Sequence, residues 1–143
     1  MKKIIVNGCF DILHIGHLNL LRYSKTYIDS YVYVLIDSDR RIREMKGAMR
    51  PIHNEYERAS LLFNLKSVDR VDVFDTEEEF VDLVKKFQPD VMIKGDDYRH
   101  KSILGEEYCK EIIFYPRMEK YSTTNIIQRI MDRIQHDKTT KSS

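Results

Sequence analysis

Short apolar segments alternate along this chain with segments whose apolar residues recur every three or four positions. The runs at 3–8 and 31–36 are rich in β-branched and aromatic residues, as buried strands are, whereas 15–27 and 76–87 carry the spacing of amphipathic helices. Strands that alternate with helices form parallel sheets, because a parallel connection needs a crossover segment. The pattern predicts an α/β fold: a Rossmann-like, doubly wound sheet of about five parallel strands with helices on both faces.

The remaining elements are predicted from the same periodicities and from signals at helix ends. Further strands are predicted at 71–74, 91–93 and 111–115. A helix over 54–65 begins with the capping-box pattern of Asn54 and Glu57. Its predicted core residues are Leu61, Leu62 and Leu65. The last helix begins at Ser122, and its predicted buried stripe consists of Ile126, Ile127, Ile130 and Ile134.

Composition places the chain among ordinary globular proteins. Its 143 residues, 42% hydrophobic and 33% charged, suffice for one core, so we predict one domain over 1–135 and a polar C-terminal tail over 136–143. The formal net charge of +1 argues against nucleic-acid binding, which needs a basic surface. No apolar run approaches the roughly 20 residues of a membrane span, and the pattern of the first residues does not predict a secretory signal. We therefore expect a cytoplasmic protein with neither membrane nor nucleic acid as partner.

The polar residues that follow the first predicted strand form the most specific pattern. His14 and His17 are three positions apart at the start of a predicted helix, so both rings can face the same side of its first turn. A helix N-terminus attracts phosphate through its free N–H groups, and Gly16 has no side chain to block the approach. Two surface histidines would be the simpler interpretation. Their position after a buried strand, where α/β folds bind ligands, favours a phosphate site.

The run at 8–17, GCFDILHIGH, resembles the signature of the cytidylyltransferase-like nucleotidyltransferase superfamily, whose hallmark is His-x-Gly-His after the first strand. The resemblance implies that His14 and His17 contact NTP phosphates and stabilise the transition state. It also places Gly8, Phe10 and Gly16 in the nucleotide site. Class I aminoacyl-tRNA synthetases share the last four letters, but a synthetase needs tRNA-binding domains and a much longer chain. We therefore expect a nucleotidyltransferase.

A cation-rich stretch follows the second strand. Its end at 46–51, KGAMRP, resembles the Lys-Gly-x-x-Arg-Pro stretch of ADP-heptose synthase nucleotidyltransferase domains, which implies that Lys46 reaches the phosphates and acts in catalysis. A solvated helix face is the alternative for such a charge run. Relatives also carry an arginine at the position of Arg58, which implies a contact with the acceptor. The alternative for Arg58 is an exposed helix pair with a nearby glutamate.

Two later stretches resemble glycerol-3-phosphate cytidylyltransferases. The residues at 95–98, GDDY, match a Gly-Asp-Asp-aromatic stretch that would contact ribose or base, although a simple turn would also favour aspartate. The residues at 116–124 match an arginine followed by a hydroxyl motif, although helix capping alone would explain its serine. Lys120 and Tyr121 depart from the usual Gly-Ile of that loop. The nucleotide-binding residues that these stretches imply are Asp96, Arg117, Ser122, Thr123 and Thr124.

Two residues beside the histidine motif have less specific roles. Asp11 could cap the turn, orient an imidazole or contact the acceptor. Cys9 has no histidine base placed by spacing to activate it, so it is predicted to be a small buried residue rather than a nucleophile.

Together these resemblances predict transfer of a nucleoside monophosphate from an NTP to a small phosphorylated acceptor, with release of pyrophosphate. Mg²⁺ would be bound through the NTP phosphates, with no direct protein ligand. CTP and an acceptor such as glycerol 3-phosphate are favoured, because 95–98 and 116–124 lie nearest to the expected position of the base. ATP-dependent transfer to a heptose or other sugar phosphate is the alternative, and a non-catalytic nucleotide sensor is the alternative of another class. The resemblance also implies a homodimer.

Overall fold

A parallel sheet of five strands forms the centre of the computed structural model, which describes residues 1–96, 99–116 and 120–141. The strands are β1 (Lys2–Gly8), β2 (Ser30–Asp37), β3 (Arg70–Phe74), β4 (Val91–Gly95) and β5 (Glu111–Tyr115). Their order is β3-β2-β1-β4-β5, and each neighbouring pair is parallel. The predicted Rossmann-like α/β fold is confirmed.

Side-chain caps set the beginnings of several helices. The helices are α1 (Ile15–Ser24), α2 (Asp39–Lys46), α3 (Glu55–Phe63), α4 (Glu77–Phe87) and α5 (Thr123–Lys141), with a 3-10 turn at Glu106–Tyr108. Ser38, Asn54 and Thr76 each accept a hydrogen bond from the backbone N–H three residues later, at 2.9–3.2 Å. Each cap satisfies one of the N–H groups that a helix start leaves without a partner.

The sheet is covered on both faces, as the pattern of the sequence predicts. One core joins Ile4 and Val6 of β1 to Leu21 of α1 and Leu62 of α3. A second core lies on the other face, where Ile5 of β1 packs with residues that include Phe80 and Val84 of α4. Because β1 contributes to both cores, it is buried from either side, which explains its continuous apolar run.

Two expectations about helices are wrong. Leu61 is 44% exposed, so the core face of α3 uses Leu62 without it. The predicted buried stripe of α5 is not buried: Ile130 is 51% exposed, Ile134 is 52% exposed, and no residue of the helix is buried. Periodicity predicts which residues share a face of a helix, but it does not predict whether another element covers that face. Helix α5 follows the edge strand β5, where the sheet ends. The part of the predicted polar tail that the structure describes, 136–141, is exposed and continues helix α5.

All five strands point the same way, so their carboxyl ends lie along one edge of the sheet. Gly8 of β1 is in register with Ile36 of β2, and Gly95 of β4 is in register with Tyr115 of β5. The segments that follow these strands therefore converge at that edge. No helix among the described residues is long and apolar enough to cross a membrane.

Candidate active site

A cavity of about 920 Å³ lies at the carboxyl edge of the sheet. Its lining comes mainly from the segments that follow β1, β2, β4 and β5. The order of strands reverses at β1, which has β2 on one side and β4 on the other, and ligands of doubly wound folds bind at such a point. The size also suits a small-molecule ligand.

The two predicted histidines form a stacked pair inside this cavity. Their ring centroids are 3.7 Å apart, with 26° between the ring planes. His14 is the N-cap of α1, and its Nδ1 accepts a hydrogen bond from the Gly16 N–H at 3.1 Å. The Nδ1 atom of His17 accepts from the His14 backbone N–H at 3.3 Å. Each imidazole is therefore fixed by the backbone of the helix start.

These hydrogen bonds decide which ring nitrogen carries the proton. A neutral imidazole that accepts at Nδ1 carries its hydrogen on Nε2, so each ring has one outer N–H donor. Burial lowers the pKa of His14 below its usual value. Burial, together with the charges of His14 and Lys46, lowers the pKa of His17 to about 3. Both rings are therefore neutral near pH 7, and they can donate to phosphate oxygens through Nε2–H without taking up a second proton.

The low pKa of His17 makes stability depend on pH. Its folded-state pKa of about 3 lies below the ordinary value of 6.5, so between these values the unfolded chain binds more protons than the folded one. The free energy of unfolding is expected to fall as the pH decreases from 6.5 towards 3. Urea denaturation at pH 7 and pH 5 measures this fall, and His17→Gln should make it smaller. An equal fall in both proteins would contradict the assignment.

Gly16 allows the pair to pack as it does. A Cβ atom at this position would lie 2.9 Å from Cε1 of His14 and 3.3 Å from Cβ of Tyr121. A methyl group there would displace the His14 ring. We expect Gly16→Ala to lower kcat for the predicted nucleotidyl transfer by about 100-fold, because a displacement of about 1 Å in a catalytic group can reduce the rate by that factor.

Steady-state kinetics of Gly16→Ala, alone and in a His14→Ala background, test this account. If the methyl group acts through His14, it should cost little once that ring has been removed. The same large loss in both backgrounds would show that it acts elsewhere.

Phe10 supports the His17 ring from the loop that precedes α1. Phe10 has a φ angle of 53° and Ile12 one of 50°, so this loop has two residues other than glycine in the left-handed region of backbone conformation. The buried Phe10 ring lies 5.0 Å from the His17 ring, centroid to centroid. At Gly8, a Cβ atom would lie 3.1 Å from the Phe10 ring. Gly8 and Phe10 line the cavity, and their contact with the nucleotide stays a prediction.

Asp11 ties the histidine loop to two other parts of the site. Its carboxylate oxygens accept hydrogen bonds from the backbone N–H groups of Ile52 and His53, at 2.8 and 2.9 Å. Its backbone carbonyl accepts from the hydroxyl of Thr123. Asp11 is 4% exposed. Both carboxylate oxygens are thus engaged in holding the loop, which fits the predicted capping role better than contact with an acceptor.

Cations from α2 and the loop after it line the cavity. Lys46 is exposed at the end of α2, and an Arg50 nitrogen lies 3.5 Å from the Thr124 hydroxyl. Arg41 also lines the cavity, but its Nε donates to Asp37 at 3.0 Å. Lys46 and Arg50 are therefore the members of this cationic stretch best placed for a polyphosphate.

The start of α5 adds hydroxyl groups to the same cavity. Ser122, Thr123 and Thr124 all line it. The hydroxyl of Ser122 accepts from the Asn125 N–H at 3.0 Å, as an N-cap does. The predicted cap is therefore present, and the N-termini of α1 and α5 both open towards the cavity.

Cys9 does not act as a nucleophile in this arrangement. Its thiol donates to a carboxylate oxygen of Asp37 at 3.6 Å. Burial, reinforced by the charge of Asp37, raises the pKa of the Cys9 thiol to about 11. A thiol with so high a pKa is protonated near neutral pH, so it has little nucleophilic thiolate.

Other predicted site residues lie outside the cavity. Arg58 has no exposed surface: its guanidinium donates to the carbonyls of Cys9, Asp37 and His53 and to the carboxylate of Asp39. It is neither an acceptor ligand nor the exposed helix pair, and instead holds the ends of β1 and β2 together.

Asp96 and Arg117 complete the predicted set. Asp96 is not part of the cavity lining among the described residues, and its carboxylate pairs with Arg99 at 3.1 Å. Arg117 lies outside the described residues, as do the two residues that follow Asp96. Sequence reasoning missed Asn7 and Lys94, which line the cavity from the ends of β1 and β4. Their position at strand ends was the available signal.

Comparison of this chain with known proteins identifies the family to which it belongs. A sequence model described as cytidylyltransferase-like matches residues 5–129. The chain belongs to the cytidylyltransferase-like family. Its place in that family makes it a nucleotidyltransferase-type domain, as the histidine motif predicts.

Curated proteins named bifunctional protein HldE are similar to this chain in sequence. The one from Campylobacter fetus subsp. fetus is 42% identical over 127 residues, which are 89% of this chain and 27% of that protein. The one from Helicobacter pylori is 43% identical over 129 residues, with 90% and 27% covered. This chain therefore spans about a quarter of the length of these relatives.

A solved structure is similar along nearly its whole length. The crystal structure of the lipopolysaccharide core biosynthesis protein from Thermoplasma volcanium superposes with a TM-score of 0.62 at 29% identity. The match covers 85% of this chain and 99% of that one.

Proposed function

We propose that this chain transfers a nucleoside monophosphate from ATP to a sugar phosphate of the heptose type and releases pyrophosphate. The observation that carries the proposal is the stacked pair of His14 and His17 at the start of α1, with both Nδ1 atoms held by backbone N–H groups inside the cavity. Such a pair suits charge stabilisation on a polyphosphate, because its donors are already oriented before the charge develops.

The relatives support this acceptor better than the glycerol 3-phosphate that we favoured from the sequence. That preference, and the preference for CTP, came from two short stretches at 95–98 and 116–124. Similarity to the HldE proteins extends over 127 residues, including the 46–51 stretch that resembles ADP-heptose synthases. We therefore replace CTP by ATP and glycerol 3-phosphate by a sugar phosphate.

The proposed reaction is an in-line displacement at the α-phosphorus of the NTP. A phosphate oxygen of the acceptor attacks the α-phosphorus while the bond to the bridging oxygen of the β-phosphate breaks, and its electron pair leaves with pyrophosphate. The acceptor phosphate is already ionised near neutral pH, so no strong general base is needed. The Nε2–H groups of His14 and His17, the Lys46 ammonium and the helix start at 122–124 would stabilise the charge that develops on the leaving group.

Mg²⁺, bound together with the nucleotide, would supply further charge neutralisation. The carboxylates lining this part of the cavity are already engaged: Asp11 with two backbone N–H groups, and Asp37 with Arg41 and Cys9. These residues fit a metal ion that is held by the nucleotide phosphates rather than by protein ligands.

The test is a matrix of ATP and CTP against heptose 1-phosphate, other sugar 1-phosphates and glycerol 3-phosphate, with pyrophosphate release as the readout. We expect the highest kcat/KM for ATP with a sugar phosphate. A tenfold preference for CTP with glycerol 3-phosphate would restore the other acceptor class. Tight NTP binding without pyrophosphate release for any acceptor would support the nucleotide sensor.

The homodimer stays a proposal. Light scattering at micromolar concentration measures the mass in solution, and a monomer would contradict it. The exposed apolar residues of α5, which include Ile130 and Ile134, would be available for such a contact.

A further inference from the structure

Asn7 and Lys94 form a polar pair in the lining of the cavity, at the point where the order of the strands reverses. The Lys94 ammonium donates to the side-chain oxygen of Asn7, so the two neighbouring strand ends are joined by their side chains. The same ammonium lies 5.8 Å from the centroid of the Phe80 ring. Both residues line the cavity and the bond between them is partly buried. The amide oxygen of Asn7 orients the ammonium.

This pair enters the cavity from the face of the sheet opposite to the histidines. Side chains two positions apart in a strand point to the same face. Ile5 and Met92 belong to the core that α4 covers, so Asn7 and Lys94, two positions further along, project towards that face. Helix α1 covers the other face through Leu21, and its N-terminus carries the histidine pair.

The chemistry of in-line displacement gives these two sides different tasks. The attacking oxygen and the leaving group lie on opposite sides of the α-phosphorus. Pyrophosphate at the histidine pair and at the start of α5 would leave on the α1 side. The acceptor phosphate must then approach from the α4 side, where the Lys94 ammonium lies.

We propose that Lys94, oriented by Asn7, binds the phosphate group of the acceptor and positions its attacking oxygen. This inference rests on the proposed nucleotidyl transfer and names the acceptor subsite within it. An ammonium near an acceptor phosphate also offsets repulsion between that dianion and the triphosphate. Glu77, in the first turn of α4, lines the cavity from the same side. Its carboxylate suits hydroxyl groups of a sugar, which are hydrogen-bond donors.

Direct binding tests the subsite without relying on turnover. Isothermal titration of Lys94→Met with heptose 1-phosphate, in the presence of the non-hydrolysable analogue α,β-methylene-ATP, should show affinity lower by about 10- to 100-fold, the usual cost of losing a hydrogen bond to a charged group. Affinity for the analogue itself should change less than threefold. Asn7→Leu keeps the ammonium but removes the group that orients it, and it should lower the affinity for heptose 1-phosphate by a smaller factor. Lys94→Arg should recover part of the affinity.

Lys66→Met is the matched control, because Lys66 is exposed and lies outside the cavity lining. It should bind both probes as the wild type does. Circular dichroism and thermal unfolding check that each variant is folded. Unchanged heptose 1-phosphate affinity in Lys94→Met would overturn the inference. An equal loss of analogue affinity would overturn it too, because Lys94 would then belong to the nucleotide site.

Inorganic phosphate, titrated in the same way, separates this inference from the proposed function. A wild-type protein that releases no pyrophosphate with any sugar phosphate would contradict the proposed function. If that protein still bound inorganic phosphate and Lys94→Met did not, the anion subsite would stand on its own. If the wild-type enzyme is active, Lys94→Met should raise KM for the acceptor much more than KM for ATP. A normal acceptor KM in Lys94→Met would count against the subsite.

Discussion

Replacing His17 with alanine is expected to lower kcat for nucleotidyl transfer by about 100- to 1000-fold, the usual result of removing one preorganised donor from a developing charge. The ring is held by the His14 N–H at its Nδ1 atom and by contact with the Phe10 ring, whose plane is tilted by 52° to it. Its Nε2–H group therefore needs no reorganisation as charge moves to the leaving pyrophosphate. Alanine removes this donor and also leaves the His14 N–H without its acceptor.

Pyrophosphate release under saturating ATP and acceptor measures this effect. His17→Gln places an amide N–H near the position of Nε2, so it should recover part of the lost rate. His100→Ala is the matched control, since His100 is exposed and lies outside the cavity lining. Near-normal turnover in a folded His17→Ala protein would contradict the proposed mechanism.

The histidine pair shows how far the sequence reaches into the site. Two histidines three positions apart at a helix start can be read directly as neighbours on one face of α1, because helical spacing is a local property. The stacking of the rings and the engagement of both Nδ1 atoms could not be predicted. They depend on His14 taking an extended N-cap conformation, with φ of −138°, just before the helix begins.

Lys94 and Asn7 illustrate a second limit. Each lies at the end of a predicted strand, but their contact requires β1 and β4 to be neighbours in the sheet. Strand order is a non-local property, and the alternation of strands and helices does not specify it. Once the order is known, the period of two in each strand is enough to place both side chains on the α4 face.

Burial of charge was the largest error in the sequence analysis. The resemblance implied that Arg58 contacts the acceptor, with an exposed helix pair beside a glutamate as the alternative, and neither interpretation places it in the interior. Its acceptors come from two distant segments, the ends of β1 and β2, and from the nearby turn at His53. Arginine has five N–H donors in a planar fork, and only the folded chain brings enough acceptors together to use them.

Replacing Arg58 with methionine is expected to lower the free energy of unfolding by about 3–5 kcal/mol, the range found when one partner of a buried ion pair is removed. The guanidinium is fully buried and donates to the carbonyls of Cys9, Asp37 and His53 at 2.7–3.0 Å. It also pairs with the Asp39 carboxylate at 2.8 Å. Methionine fills part of the volume but leaves these oxygens without their donor, and each unpaired buried acceptor adds to the cost.

Urea denaturation of the Arg58→Met protein measures this loss, with Arg43→Met as the matched control on the exposed face of α2. The control should stay within about 0.5 kcal/mol of the wild type, as surface substitutions usually do. Arg58→Lys keeps the positive charge but offers three donors from one nitrogen, so it cannot serve carbonyls on separate segments and should recover only part of the stability. A loss below 1 kcal/mol in Arg58→Met would mean that water replaces the guanidinium. The ends of β1 and β2 would then be held together mainly by their backbone pairing, of which Gly8 and Ile36 are the last partners.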